Sequence, residues 1–216
     1  MGSYAVIAET SQAMLDLLRE HIARRTDAID VDPATIVLTS PNDIEEDDDV
    51  RLSLYLYGIE KNDVLNTGAR TYDEEEQVAQ DPPLALDLQY LLTAYPAASG
   101  GDLTSERIDQ HRILGLAIQT LLDTSVIEGS EFGGPRFDKD VSITLQTTTT
   151  ADARDIWWNA VSDLPYHLSI AYTVSPVLVD SRTEAEIPPV ADRDLGFKDK
   201  DEEGARQERR RTGLRD

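Results

Sequence analysis

Between Arg51 and Ile59 apolar and polar side chains alternate. Leu52, Leu54 and Leu56 fall on one side, and Ser53, Tyr55 and Tyr57 on the other. A period of two is the period of a strand, here with a leucine face and a tyrosine face. The segment Pro82-Pro83-Leu84-Ala85-Leu86-Asp87-Leu88-Gln89-Tyr90-Leu91-Leu92-Thr93-Ala94-Tyr95 differs, because both of its period-two faces are partly apolar. Such a pattern predicts a central strand covered on both sides; its Leu and Ala content also admits a helix. Shorter extended runs fall at Thr35–Thr39, Ser125–Ile127 and Val141–Leu145. A final alternating strand starts at Pro165 and is broken or bulged at Pro176.

Two long segments carry a helical period instead. From Ser3 to Arg25, Tyr4, Ile7, Ala8, Ser11, Leu15, Leu18 and Ile22 recur at steps of three and four. From Thr104 to Leu122, the stripe is Ile108, His111, Gly115, Ile118 and Leu122, widened by Leu114 and Leu121. A glycine inside a helix costs about 1 kcal/mol against alanine, which predicts a close neighbour at Gly115. Asp152 to Val161 reads as a short helix. Its Trp157 and Trp158 point about 100° apart, so one can be core while the other sits at a rim. The polar stretch from Lys61-Asn62 to Asp81 reads as a long loop, a frequent place for interaction elements. These segments together predict an α+β fold: a single mixed, mainly antiparallel sheet of about five or six strands, flanked by two long helices and one short helix. After Ser181 apolar residues become scarce, so the chain divides into a domain over residues 1–181 and a polar, charged, extended C-terminal tail over residues 182–216.

Charge adds to this picture. The chain of 216 residues has a net charge of −22, and only four of its 20 basic residues are lysines. At ~1 M salt the screening length is roughly 3 Å, where acidic self-repulsion costs little and solubility is retained. The acid excess and scarce lysine therefore point to a halophile, most simply a haloarchaeon. The tail holds nine of the 20 basic residues and ten of the 42 acidic ones, so nearly all the negative charge lies on the domain. Within the tail Arg206, Arg209, Arg210, Arg211 and Arg215 form a basic tract. The domain itself is too acidic to favour nucleic acid, whose phosphates need clustered Lys and Arg.

Candidate chemistry is sparse. Cysteine is absent, which removes disulfides, thiolate catalysis and cysteine zinc sites. His21, His111 and His167 lie on separate elements without metal-ligand spacing, and no Gly-x-Ser-x-Gly elbow, Walker loop or Gly-x-Gly-x-x-Gly occurs. Glu45-Glu46-Asp47-Asp48-Asp49 lacks the spaced acids and central glycine of a calcium loop and reads as a solvated loop. Asp87, within an apolar strand, reads as a group that caps a backbone N–H or pairs with an arginine rather than as a tuned acid. No cofactor is expected. Glu9 interrupts the first apolar stretch and no run approaches the ~20 residues of a membrane span, so neither a secretory signal nor a membrane partner is expected.

The order of these segments carries a resemblance. Tyr4-Ala5-Val6-Ile7-Ala8 opens the chain, followed by Leu52-Ser53-Leu54-Tyr55-Leu56-Tyr57-Gly58-Ile59-Glu60-Lys61-Asn62 and the proline-led segment Pro82 to Tyr95. Leu114-Gly115-Leu116-Ala117-Ile118, Trp157, Leu168-Ser169-Ile170-Ala171-Tyr172 and Pro176-Val177-Leu178-Val179-Asp180-Ser181 complete it. From Ser3 to Ser181 this resembles the N-terminal domain of the tail cap, or tail terminator, proteins of extracellular contractile injection systems, which are phage-tail-like particles. The resemblance implies a non-catalytic α+β domain assembling as a homo-oligomeric, hexameric ring. That ring would end the inner tube and anchor the last ring of sheath, with the tube protein and sheath protein as partners. Assembly would occur in the cytoplasm, before the particle is released.

A ring needs a heterologous interface whose rotation closes. Tyr and Trp are enriched in interface cores, which makes Tyr55, Tyr57, Tyr95 and Trp158 candidate contacts, each with intramolecular core as its alternative. Asp87 is a further candidate on the same strand as Tyr95. Arg206, Arg209, Arg210 and Arg211 are candidates for a strap onto an acidic neighbour. Two other readings remain at this stage: the tail terminator of a tailed archaeal virus, and a small hydrolase built on carboxylates.

Overall fold

The computed structural model describes residues 4–25, 29, 31–45, 47–65, 71–73, 78–97, 102–127, 141–145, 155–159, 161, 164–181 and 184–186. In chain order the elements are helix α1 (Val6–Ala23), strands β1 (Ile36–Leu38), β2 (Leu52–Lys61), β3 (Thr71–Asp73), β4 (Val78–Gln80) and β5 (Leu84–Ala94), and helix α2 (Leu103–Asp123). Strands β6 (Val126–Ile127) and β7 (Val141–Leu145) follow, then a short helix α3 over residues 155–159, and strands β8 (Ser169–Val179) and β9 (Glu184–Glu186).

The main sheet has six strands in the order β1-β2-β5-β8-β7-β6. β1 runs parallel to β2 and every other pairing is antiparallel, so the sheet is mixed and mainly antiparallel. The proline-led segment is a strand, and it lies between the two longest partners, β2 and β8. Both long helices cover one face. Val6, Met14, Leu15, Leu18 and Ile22 of α1 and Ile113, Leu114, Ala117 and Leu121 of α2 close over Leu52, Leu54, Leu88, Tyr90, Leu92, Ala94, Tyr172 and Val174. Fully burying one such Leu or Ile side chain is worth about 1.5–3 kcal/mol, so this layer dominates the stability of the domain. On the opposite face Leu91 packs with Trp157 and Val161. The double-sided apolar pattern of β5 thus reflects burial between two layers.

The helical faces are rotated from the stripes expected on sequence. On α1, Ser11, Leu15, Leu18 and Ile22 are buried as expected, but Val6, Thr10 and Met14 complete the face while Tyr4 and Ala8 are exposed. Two hydroxyls can lie in this interface because their own helix satisfies them. Thr10 Oγ1 donates to the Val6 carbonyl at 2.8 Å and Ser11 Oγ to that of Ile7 at 3.0 Å. On α2 the buried line is Gln110, Ile113, Leu114, Ala117, Thr120 and Leu121, whereas Ile108, His111, Gly115 and Leu122 face outward. Gln110 is tolerated inside because its amide donates to the Ala94 carbonyl at 2.6 Å. Gly115 has no close neighbour: a Cβ there would meet nothing within 4 Å. The helix begins one residue earlier than expected, where Asp102 accepts from the Ser105 N–H at 3.3 Å as its N-cap.

A second sheet, of three antiparallel strands in the order β3-β4-β9, was not anticipated. It places strand pairs inside the polar stretch read as a loop and adds residues 184–186, from the start of the polar C-terminal segment. Strands of three residues carry too little side-chain periodicity to be read, and their third partner arrives about a hundred residues later in sequence. The final strand of the main sheet also starts late, at Ser169, so Pro165–Leu168 form an irregular approach. Gly58 marks a register shift in β2, where an added Cβ would lie 2.6 Å from the Gln89 Oε1 that crosses above it.

Candidate interaction surface

The irregular approach to β8 lets neighbouring rings gather on the face of the sheet away from the long helices. α3 aims Trp157 inward, with 1% of its surface exposed, and its indole N–H donates to the Leu164 carbonyl at 3.2 Å. Tyr166 meets the indole edge-on at 5.6 Å between ring centroids, and His167 sits 5.8 Å from it. His167 in turn lies 5.2 Å from Tyr95. Burial, then the nearby Arg107 charge, lower the His167 pKa. Tyr95 is buried, and its hydroxyl shares a hydrogen bond with Ser53 Oγ at 3.3 Å. Burial raises its pKa and the Ser53 contact opposes that rise.

Tyr55 and Tyr57, the tyrosine face of β2, are half-buried against the Leu91–Trp157–Val161 cluster. Burial raises the Tyr57 pKa, and the Glu60 charge adds to it. Trp158, one helical position beyond Trp157, is 63% exposed. Tyr166 and Leu168 are exposed as well, so this end of the sheet presents an aromatic and apolar rim. Tyr166, Leu168 and the His167 contacts escape a reading of the sequence that assigns these positions to a regular strand, because alternation would send Tyr166 and His167 to opposite faces.

Beside the rim lies a groove of about 460 Å³, floored by Pro41, Ile44, Val50, Tyr95, Leu164 and Pro165, with Glu45 and Asp48 at its edge. The acidic loop is turned on itself there: the Glu45 N–H donates to Asp48 Oδ2 at 2.9 Å. Asp87 stands apart from both features. It lies where β5 and β8 shift register, with Leu86 opposite Val177 and Leu88 opposite Val174. Its Oδ1 accepts from Asn62 Nδ2 at 2.9 Å and from Ser175 Oγ, side-chain partners in place of the expected backbone N–H or arginine. Arg206, Arg209, Arg210 and Arg211 lie outside the described residues. Among the described residues no three His, Cys, Asp or Glu side chains stand close enough to hold a metal ion, and no helix is long and apolar enough to cross a membrane.

A mixed six-stranded sheet with two helices on one face and a tryptophan-anchored helix on the other defines an α+β domain with an aromatic and apolar rim beside that tryptophan. Residues 9–192 match the model of the Pvc16 N-terminal domain, and the chain belongs to that family. Its fold is similar to that of the PVC sheath/tube terminator of an extracellular contractile injection system in the extended state. That likeness has a TM-score of 0.56 and 16% identity, and covers 97% of this chain and 72% of the other. It is also similar to the tube-terminating cap of the anti-feeding prophage, again with a TM-score of 0.56 and 16% identity, over 85% of this chain and 58% of the other. No curated protein matches the sequence.

Proposed function

We propose that this protein is a structural cap of a contractile, phage-tail-like injection particle. Six copies close into a ring that ends the inner tube and holds the last ring of sheath. Membership of the Pvc16 N-terminal domain family over residues 9–192 carries this reading. The likeness to a sheath/tube terminator over 97% of the chain supports it. The role is mechanical, and its partners are further copies of the chain, the tube protein and the sheath protein. Trp158, Tyr166 and Leu168, exposed around a buried anchor, have the composition of an interface core. Tyr55 and Tyr57 divide their surface between the core and that rim. Assembly takes place inside the cell, and the protein leaves as part of the particle. Negative-stain imaging of the full chain, alone and mixed with the cognate tube and sheath proteins, tests the proposal. Six-fold rings or decorated tube ends are expected, and a compact monomer that leaves tube ends bare overturns it.

A further inference from the structure

The acidic rim of the groove raises a question of charge. Asp43, Glu45, Asp47, Asp48 and Asp49 are all exposed, and none forms an ion pair among the described residues. The floor behind Glu45 and Asp48 is mostly apolar, built from Ile44, Val50, Leu164, three prolines and Tyr95, with His167 beside them. A ligand for this surface needs one apolar side chain flanked by cations. Residues 206–215 of the chain have that composition: Arg206, Arg209, Arg210, Arg211 and Arg215 surround Leu214, the one large apolar residue in the tract, and Glu208 is its only acid.

We infer that the groove is the docking site for the basic C-terminal tract of an adjacent copy of the chain. The inference rests on the ring proposed above and supplies a contact that closes it. Almost the whole charge of −22 lies on the domain, so domains brought side by side in a ring repel at low salt, and at ~1 M salt, where that long-range repulsion is screened, the charges that still count are those in direct contact. A basic tract laid from one copy into the acidic groove of the next turns that contact into an attraction and fixes its direction, as a heterologous ring contact requires. The chain is long enough to do this. The 19 residues between Glu186 and Arg206 can span up to roughly 60 Å, against roughly 40 Å across a domain of this size. Each copy gives one strap and receives one.

The absence of cysteine allows a direct test on the full chain. One chain carries Ile44→Cys in the groove and a second carries Leu214→Cys in the tract, and the two are mixed under mild oxidation. Asn42→Cys, exposed beside Pro41, serves as a second groove reporter if Ile44→Cys perturbs folding. A disulfide-linked heterodimer is expected, together with a ladder of covalent oligomers from the chain carrying both cysteines. Adding Glu45→Gln and Asp48→Asn to the groove chain, changes that keep the acceptor for the Glu45 N–H, should slow cross-linking about fivefold. Equal reaction with Leu122→Cys, exposed at the far C-terminal end of α2, indifference to those two substitutions, or cross-links formed only within one chain would overturn the inference. Imaging of the wild-type chain separates the two proposals. Rings without intermolecular cross-links reject the strap alone. Charge-dependent cross-links without rings retain the strap and reject the ring, and the absence of both rejects both.

Discussion

Tyr90 and Tyr172 face each other across β5 and β8, and both are essentially excluded from solvent. Their hydroxyls differ in one respect. Tyr90 Oη shares a hydrogen bond with Ser11 Oγ at 2.8 Å, whereas Tyr172 Oη has no partner among the described residues. Burial raises both phenol pKa values. That of Tyr90 is pushed up to about 12, moderated by Ser11, while nothing offsets the rise at Tyr172. A buried hydroxyl without a partner costs about 1–3 kcal/mol, so Tyr172→Phe should stabilise the protein by ~0.5–2 kcal/mol after allowing for the small void left by the oxygen. Tyr90→Phe removes a satisfied bond and should destabilise by ~0.5–1.5 kcal/mol; the Ser11 hydroxyl keeps its bond to Ile7. Each kcal/mol corresponds to roughly 2–4 °C in Tm for a protein of this size. Calorimetry and urea unfolding at pH 7 measure both changes. The sign also extends to alkali. A phenol whose folded pKa is raised contributes stability fully below the unfolded value near 10, and that stability is lost as pH rises through the folded value. Between pH 10 and about 12 the wild type should therefore lose stability more steeply than Tyr90→Phe. A Tyr172→Phe protein less stable than wild type at pH 7 would refute the reasoning.

Trp157→Ala should cost about 3–5 kcal/mol in urea unfolding, whereas Trp158→Ala should change stability by no more than about 0.5 kcal/mol while reducing ring formation or tube-end decoration. Equal stability losses would place both indoles in the core. Gly115→Ala, at an open position within α2, should stabilise by about 1 kcal/mol in thermal unfolding; a loss would mean that the glycine admits a close contact. If the acid excess is a salt adaptation, fluorescence-monitored stability should climb as KCl rises from about 0.1 M to molar levels. Full stability already at the low end would refute that.

The main sheet was legible because its long strands keep a period of two: Leu52 and Leu54 announce one buried face, and Leu88 with Leu91 announces two. Helix position was legible but helix orientation was not. Thr10 and Gln110 look like surface residues, and only the Val6 and Ala94 carbonyls that satisfy them explain their burial. Ile108 and Leu122 look like core residues and are exposed. The Trp157–Trp158 division followed from helical geometry alone. The groove did not, because it joins residues 41–50 to residues 164–167 across a sheet whose order only the fold reveals.

The clasp at Asp87 has a consequence for alignment. A strand with one oily face cannot slide by one residue without putting that face in water. β5 lacks this safeguard, since Ala85 and Leu91 are as deeply buried as Leu88 and Tyr90. A slipped β5 would still be greasy on both sides. Asp87 reaches Asn62, just past the end of β2, on one flank and Ser175 of β8 on the other in this register alone, so three polar side chains act as a notch for a ribbon that hydrophobicity alone would let slide.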